Sequence, residues 1–443
     1  MRISIIGLLV AGMSVLALAG GCVSSEEAGS NAEVDSSSAS RSGEERRKPR
    51  SSGPNLARQR DVIRTVQLYR GANERTSPII ERESGESLTL EFDLMEQEGR
   101  PLSIYFYHAD RNWTRDLSPT QFLESYQDDD LVDYRPSQGT AVPYVHYTYR
   151  FPNDDIQFRL SGNYVLRVTE RGRENAVLFE RAFFVTDEEG SLRLESTSIA
   201  IPGQRQRSIR PVARFTPPAG FQGDPLGYTT CFVRNGRLSD TRCEDRPRLS
   251  NQPSLAFELD RSRAFDPVTA NYTVDLSSLR GRDKIERTDR TRTPFRVLLE
   301  PDYARFSGRN MDSPLNGQIL VRDALRGYGN PARTAEYVRT TFAFVPPNER
   351  PLSGEVVVVG SFSGMDVEQG TGMDWKPGRG RYEGNVLLKQ GRYQYFYSSP
   401  DSLLQKTVRE SQARLRSTYT SFVYYEDVSE NTDRLLRVGS VQQ

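Results

Sequence analysis

Residues 144–168 read YVHYTYRFPNDDIQFRLSGNYVLRV, and this stretch decides the fold. Aromatic and apolar side chains alternate with polar ones over 145–151, which is the period-two pattern of a half-buried β-strand. A Pro-Asn step at 152–153 interrupts this strand, the alternation resumes over 156–160, and the Gly-Asn step at 162–163 leads into a third run. The stretch therefore predicts neighbouring strands joined by short turns.

Strand signals of this kind recur through almost the whole chain, between turns rich in Gly, Pro, Asn and Asp. No segment keeps a period of 3.6 residues over about ten positions, so a helical domain is excluded. One short helical turn is expected in SPTQFLESY, where Ser118 is a capping residue followed by proline. We predict a mainly β protein, with tandem immunoglobulin-like β-sandwich domains after a disordered N-terminal tether.

The folded part is too long for one ordinary core, so it is divided into domains. We predict an N-terminal immunoglobulin-like sandwich at 61–192, a middle β-rich domain at 193–332 and a C-terminal early-set or immunoglobulin-like sandwich at 333–443. The strands expected in the first domain are 62–68, 87–93, 103–108, 144–151, 163–169 and 182–185.

Residues 1–22 have the pattern of a secretory signal, with Arg2 before an apolar run at 3–18 and small residues before Cys22. The apolar run is shorter than the roughly 20 residues of a membrane-spanning helix. The position of Cys22 is similar to a lipoprotein processing site, where its thiol would carry acyl chains; simple cleavage is the alternative. We therefore expect an exported protein with a lipid anchor at Cys22.

Residues 23–60 consist mostly of Ser, Gly, Glu, Ala and Arg, with almost no apolar side chains. Such a segment cannot bury enough surface to offset the entropy of ordering. We therefore predict a disordered linker between the signal and the folded part.

The chain has three cysteines, and acylation of Cys22 would leave Cys231 and Cys243 as an even set. The two are expected to form a disulfide in an oxidising compartment. The Asn-Gly step at 235–236 favours a hairpin between them, and a bridge closing this loop would contribute about 3 kcal/mol. A redox pair or a metal site is the alternative, although the spacing is not CxxC and no histidine is close in sequence.

The 59 basic and 59 acidic residues cancel, so the charge does not suggest nucleic acid as a partner. Only five of the basic residues are lysine, which leaves 54 arginines. Arginine favours bidentate pairing with carboxylates and stacking on tyrosine. A bias in genomic base composition is the other explanation.

The sequence offers little for catalysis, because it contains only two histidines. His108 and Asp110 have the spacing of a possible metal site or of a base and its orienting carboxylate. No third ligand stands at a recognisable distance and there is no GxSxG motif, so we expect no enzyme, no metal and no cofactor.

The C-terminal domain supports an alternative function. VVVVGSFSGMD from 356, the Met-Asp-Trp step at 373–375 and the run 381–397 look like an early-set glycan-binding module. Trp375, Tyr393 and Tyr395 are the candidate rings for stacking on a sugar. Tyrosines at alternate positions are also what any half-buried strand shows.

Several segments together resemble the plug protein family of the type IX secretion system. They occur in order from about 62 to 436: RTVQLYR, LTLEFDL, HADRNW, HYTYRFPN, SGNYVLRV, RAFFV, FRVLLEPDYARF, AEYVRTTFAF, LLKQGRYQYFY and FVYYEDVSENTDRLL. The resemblance implies that Trp113 packs in the sandwich core and that Asp110 caps the following turn.

The resemblance also implies a non-enzymatic function. A protein of this family would plug or gate the periplasmic opening of the outer-membrane translocon barrel. The resemblance therefore implies a periplasmic protein, anchored to the outer membrane through Cys22. The expected partners are that barrel and the membrane that holds Cys22. The alternative is an envelope lipoprotein with a glycan-binding early-set module.

Overall fold

The computed structural model of the protein describes residues 53–202, 207–219, 224–249, 254–266, 272–280, 284–303, 315–327, 329–346, 349–401 and 417–443. The predicted signal peptide, Cys22 and the predicted linker up to residue 52 lie outside the described residues. The described chain is mainly β, which confirms the predicted fold class.

The strands between 63 and 186 form a two-sheet sandwich, here called the first sandwich. They are β1 (Ile63–Arg70), β2 (Ile79–Glu81), β3 (Leu88–Leu94), β4 (Leu102–Ala109), β5 (Asp128–Leu131), β6 (Tyr134–Pro136), β7 (Val145–Phe151), β8 (Gly162–Glu170) and β9 (Val177–Thr186). The sheet orders are β1-β3-β7-β6 and β2-β9-β8-β4-β5. Val145, Tyr147 and Phe151 of β7 face the shared core, as their alternation predicted.

The short helix α1 (Pro119–Phe122) lies between β4 and β5 and begins after Ser118. The Ser118 backbone N–H donates to Gln121 Oε1 at 2.9 Å, which satisfies a donor at the start of the helix. The helical turn predicted in this segment is therefore present.

The next strands begin a second sandwich. They are β10 (Ser191–Ile199), β11 (Ser208–Thr216), β12 (Tyr228–Arg234), β13 (Arg242–Glu244), β14 (Arg248–Leu249) and β15 (Leu255–Glu258). One sheet has the order β10-β11-β15-β14. Between β12 and β13, Cys231 and Cys243 are directly opposed and form a disulfide with an S–S distance of 1.98 Å.

Strands from 272 to 398 form one continuous ten-stranded sheet around a shared apolar core, here called the third sandwich. They are β16 (Tyr272–Asp275), β17 (Ile285–Asp289), β18 (Phe295–Leu299), β19 (Asp302–Tyr303), β20 (Leu320–Val321), β21 (Tyr337–Val345), β22 (Val356–Gly360), β23 (Thr371–Lys376), β24 (Arg381–Lys389) and β25 (Gly391–Ser398). Their main order is β16-β25-β22-β23-β24-β21-β18-β17, and the helix α2 (Pro331–Thr334) precedes β21.

The last two strands return to the second sandwich. They are β26 (Thr418–Asp427) and β27 (Thr432–Gln442), and they complete a sheet of order β13-β12-β26-β27. Residues Tyr228 to Arg234 pair with Tyr425 to Tyr419 over the whole of β12. The second sandwich is therefore built from two separate parts of the chain.

This pairing does not follow the boundary predicted between 332 and 333. Strands β16 to β20 of the predicted middle domain pack in the third sandwich, whereas β26 and β27 of the predicted C-terminal domain pack in the second. The reason is that the exposed edge of β12 is satisfied by a strand almost two hundred residues away, which period-two alternation alone cannot reveal.

Residues 53–60, the described end of the predicted linker, form hydrogen bonds with the first sandwich. The Ala57 N–H donates to Glu180 Oε2 at 2.7 Å, and the Arg60 N–H donates to the carbonyl of Leu178 at 2.9 Å. For residues 53–60 the prediction of disorder is therefore wrong, because strand β9 supplies partners for this backbone.

Candidate functional site

The first sandwich is joined to the third by a buried ion pair. Lys389 Nζ at the end of β24 lies 2.7 Å from Asp93 Oδ2 on β3, and each side chain is only 1% exposed. Lys389 also donates to the carbonyl of Ala332 at 2.6 Å and lies 4.2 Å from the centroid of the Tyr144 ring. The ammonium therefore has an anion, a carbonyl and an aromatic face as partners.

Further polar groups surround this pair. Tyr337 on β21 donates to Asp93 Oδ2 at 2.6 Å, and Thr65 on β1 lies 2.6 Å from the same tyrosine oxygen. His146 Nδ1 is 2.8 Å from Asp93 Oδ1. We call Asp93, His146, Tyr337 and Lys389 the lysine joint.

The pKa values within the lysine joint are shifted by burial and by neighbouring charge. Burial opposes the charge on Asp93, but Lys389 and His146 outweigh this effect and hold the pKa of the carboxyl below its usual value. Burial lowers the pKa of Lys389 despite the attraction of Asp93. For His146, hydrogen bonds to Asp93 and Glu91 outweigh burial and raise the pKa of the imidazole.

The same interface contains a reciprocal pair of glutamines. Gln67 on β1 donates to the carbonyl of Ile319 at 2.9 Å, and Gln318 donates to the carbonyl of Leu68 at 3.3 Å. Both side chains are buried. Buried amides without such partners would destabilise the interface, so this exchange fixes the register of β1 against the 315–321 segment.

The first sandwich is joined to the second by another buried carboxylate. Asp187, directly after β9, accepts hydrogen bonds from Arg434 Nη2 on β27 at 2.6 Å and from Arg82 Nε at 2.8 Å. Ser161 donates to the same carboxylate at 2.7 Å. We call Arg82, Asp187 and Arg434 the aspartate joint.

An apolar cluster lies beside the aspartate joint. The Phe184 ring of β9 is 4.5 Å from that of Phe422 on β26, and Trp113 meets Phe184 edge-on at 5.6 Å. Cys231 and Cys243 belong to the same cluster. Trp113 therefore packs between the first and second sandwiches, and the expectation that it packs in the sandwich core is wrong.

Asp110 caps a turn, as expected from the resemblance. Its Oδ1 accepts from the backbone N–H groups of Asn112 and Thr114 at 2.9 and 2.8 Å. His108 does not pair with it, because His108 Nδ1 lies 2.9 Å from Asp116 Oδ1 instead. Asp116 in turn accepts from the hydroxyl of Thr432, the first residue of β27, so this histidine belongs to the contact with the second sandwich.

Two of the three candidate glycan-binding rings lie in the core of the third sandwich. Tyr393 and Tyr395 are 1% and 0% exposed, and their hydroxyls donate to the carbonyl of Lys389 and to Asp302 Oδ2. Trp375 is half-buried and packs edge-on against Tyr382 at 5.1 Å. Tyr393 and Tyr395 cannot stack on a sugar without opening the core, which corrects the candidate set.

The sequence does not identify the residues of the two joints, because their local patterns are those of ordinary strands. Asp93 stands in LTLEFDL and Lys389 at the end of NVLLK, both on the polar side of the alternation. A signal for Lys389 was nevertheless present, since it is one of only five lysines in the chain.

The described residues contain no group of three or more His, Cys, Asp or Glu side chains arranged to hold a metal ion. In the same ranges, no helix has the length and apolar character needed to cross a bilayer.

Residues 63–187 match the family model described as type 9 secretion system plug protein 1st domain. The match begins at the first residue of β1 and ends one residue after β9. It therefore coincides with the first sandwich, including Asp93 and Asp187, the first-sandwich carboxylates of the two joints.

A crystal structure of a hypothetical protein from Parabacteroides merdae has a similar fold. The TM-score is 0.79 at 22% sequence identity, and the alignment covers 88% of this chain and 100% of that chain. A structure of a Salmonella alpha-2-macroglobulin mutant aligns with a TM-score of 0.18 at 11% identity, over 88% of this chain and 23% of that chain, which is too low to support an argument. No curated protein sequence matches this chain significantly.

Proposed function

We propose that this chain plugs or gates the periplasmic opening of the outer-membrane translocon barrel of the type IX secretion system, because its residues 63–187 match the 1st domain of the plug protein of that system. It acts in this proposal by occupying space and performs no reaction. The observation that carries the proposal is the match between the plug domain and the first sandwich.

The way in which the first sandwich is held supports this function. A protein that blocks a pore must keep its domains in fixed relative positions. The lysine joint and the aspartate joint attach the plug domain to the other two sandwiches through side chains that are 1% exposed at Asp93, Lys389 and Asp187. Separating these ion pairs would leave buried charges without partners, and this cost opposes movement of the first sandwich relative to the other two.

Attachment to the envelope is a second part of the proposal. The chain would be exported by residues 1–22 and held at the outer membrane, on its periplasmic side, through an acylated Cys22. Labelling of cells with an alkyne fatty acid should mark the wild-type protein and leave a Cys22→Ala variant unmarked. Equal labelling of both would end this part of the proposal without affecting the plugging role.

The plugging role can be tested in the native cell by photo-crosslinking. A photoreactive residue is placed at exposed positions on different sandwiches, such as Tyr126 on the first, Tyr303 on the third and Val428 on the second. At least one position should crosslink to the large translocon barrel. Photoreactive residues at the buried Tyr395 position serve as the matched negative control.

Deletion of the whole chain provides a separate readout. An unplugged pore that passes folded proteins should admit large hydrophilic compounds that the outer membrane normally excludes. If no exposed position crosslinks to the barrel and deletion leaves the permeability unchanged, the proposed function is wrong.

A further inference from the structure

We infer that the outer face of strands β17, β18, β21 and β24 in the third sandwich is a docking surface for an extended acidic segment of a partner protein. We call it the arginine face, and it consists of Arg287, Arg296, Leu298, Arg339 and Leu387. This surface begins beside the lysine joint, because Arg339 and Leu387 follow Tyr337 and Lys389 on the same face of β21 and β24, and the inference does not require that the chain closes a pore.

The strand register places the three arginines together. Arg296 of β18 lies directly beside Arg339 of the parallel strand β21, and Arg287 of β17 lies beside Leu298, on the same side of the sheet as Arg296. All three arginines are exposed. Neighbouring strands are about 4.8 Å apart, so these guanidinium groups repel one another.

The repulsion is poorly compensated within the chain. Among the described residues, no carboxylate lies within ion-pair distance of Arg287, Arg296 or Arg339. Asp289 is the register partner of Arg296, but its carboxylate lies 3.6 Å from Arg292, and Glu286 lies 4.0 Å from Arg381, so these carboxylates compensate the three arginines only in part. A surplus of positive charge therefore remains on this face, and a complementary anion would relieve it.

The face also carries apolar side chains that no core uses. Leu298 and Leu387 are half-buried, and neither belongs to an apolar cluster of the described chain. Leu387 lies beside Arg339 in the register of β21 and β24. Arginines with adjacent aliphatic groups are the composition found at protein interface hot spots, where the partner covers both.

The edge of the sheet favours an extended protein segment over a lipid surface. Strand β17 pairs only with β18 within the described residues, so its outer backbone edge is available for another strand. A peptide that adds there places alternate side chains over the arginine face. Carboxylates at those positions match the bidentate geometry of guanidinium, and aliphatic residues would meet Leu298.

The test uses the complete mature protein and a short fluorescent peptide of alternating glutamate and valine, measured by fluorescence anisotropy. We expect binding that weakens as salt is added and that falls at least about tenfold in the double variant Arg296→Glu/Arg339→Glu. A lysine–valine peptide of the same length should not bind. Arg296→Gln/Arg339→Gln, which removes charge without reversing it, should show an intermediate loss.

The matched control is Arg193→Glu/Arg214→Glu, because these exposed arginines are also directly opposed, on strands β10 and β11 of the second sandwich. This variant has the same change in net charge and should keep peptide affinity within about twofold. All variants should unfold at the wild-type temperature, since the substituted side chains are exposed.

Three outcomes would overturn the inference. In the first, the wild type does not bind the acidic peptide. In the second, the two double variants lose affinity equally, which would make the effect one of net charge alone. In the third, the β18–β21 variant loses binding only to phosphatidylglycerol vesicles, which would assign the face to a membrane. None of these bears on crosslinking to the translocon barrel, so the two proposals fail separately.

Discussion

Asp93 and Lys389, 296 residues apart in sequence, form an ion pair of 2.7 Å between two sandwiches, with both side chains almost fully buried. Asp93 lies on the outward side of β3, which a single sandwich would leave in water. The third sandwich covers that side and supplies the counter-charge. The relationship explains how the plug domain is fixed to the rest of the chain.

Substitution of Lys389 by alanine should destabilise the protein by about 3–5 kcal/mol, because Asp93 would be left as an uncompensated buried charge. Chemical denaturation measures the change. Lys376→Ala is the matched control, since Lys376 pairs with Asp374 at an exposed position, and it should cost less than about 1 kcal/mol. The double variant Asp93→Asn/Lys389→Met should be more stable than Lys389→Ala. If Lys389→Ala and Lys376→Ala lower the free energy of unfolding equally, the lysine joint does not stabilise the protein.

The stability should depend on pH through His146. Because the pKa of His146 is raised in the folded state, its contribution is fully present below the unfolded value of about 6.5 and is lost as pH rises through the folded value. Wild type should therefore lose stability relative to His146→Gln as pH increases through this window. Denaturant titrations at several pH values provide the comparison, and parallel pH curves for the two proteins would rule the effect out.

A second pH effect has the opposite sign. Because the pKa of Asp93 is lowered in the folded state, its contribution is present above the unfolded value of about 3.9 and is lost as pH falls through the folded value. Acidification should therefore cost the wild type more stability than it costs Asp93→Asn, when each protein is compared with its own stability at neutral pH. Circular dichroism during acid titration measures this, and identical relative profiles would show that Asp93 does not contribute.

Substitution of Asp187 by alanine should destabilise the contact between the first and second sandwiches by about 2–3 kcal/mol, because Arg434, Arg82 and Ser161 lose their shared acceptor. Thermal unfolding is the measurement. Asp130→Ala, which removes the exposed partner of Arg171, is the control and should change stability by less than about 1 kcal/mol. If Asp130→Ala lowers the unfolding temperature as much as Asp187→Ala does, the aspartate joint does not contribute specifically to stability.

Removal of the disulfide in Cys231→Ala/Cys243→Ala should lower stability by about 3 kcal/mol, because the bridge restricts the unfolded chain by closing a loop with a sequence separation of 12, and because the two sulfurs pack in the cluster with Phe422. Reductant should lower the unfolding temperature of wild type and leave that of the double variant unchanged. A double variant that unfolds at the wild-type temperature would show that the bridge does not stabilise the hairpin.

The sequence by itself determined the β class and most strand positions. Alternation in YVHYTYRF and YVRTTFAFV reflects which side chains face a core, and β7 and β21 lie where it predicted. This information is local, because successive side chains of a strand point to opposite faces whatever the partner strand is.

Only the tertiary structure decided what covers the outward faces and which strands pair. Thr89 and Asp93 of β3 alternate with core residues, and the sequence therefore places them towards water, yet both are buried. Likewise, nothing in β26 indicates that it pairs with β12 across the whole third sandwich. The physical reason is that a longer loop costs only slightly more closure entropy, so distant segments can complete a sheet or an ion pair without leaving a local trace in the sequence.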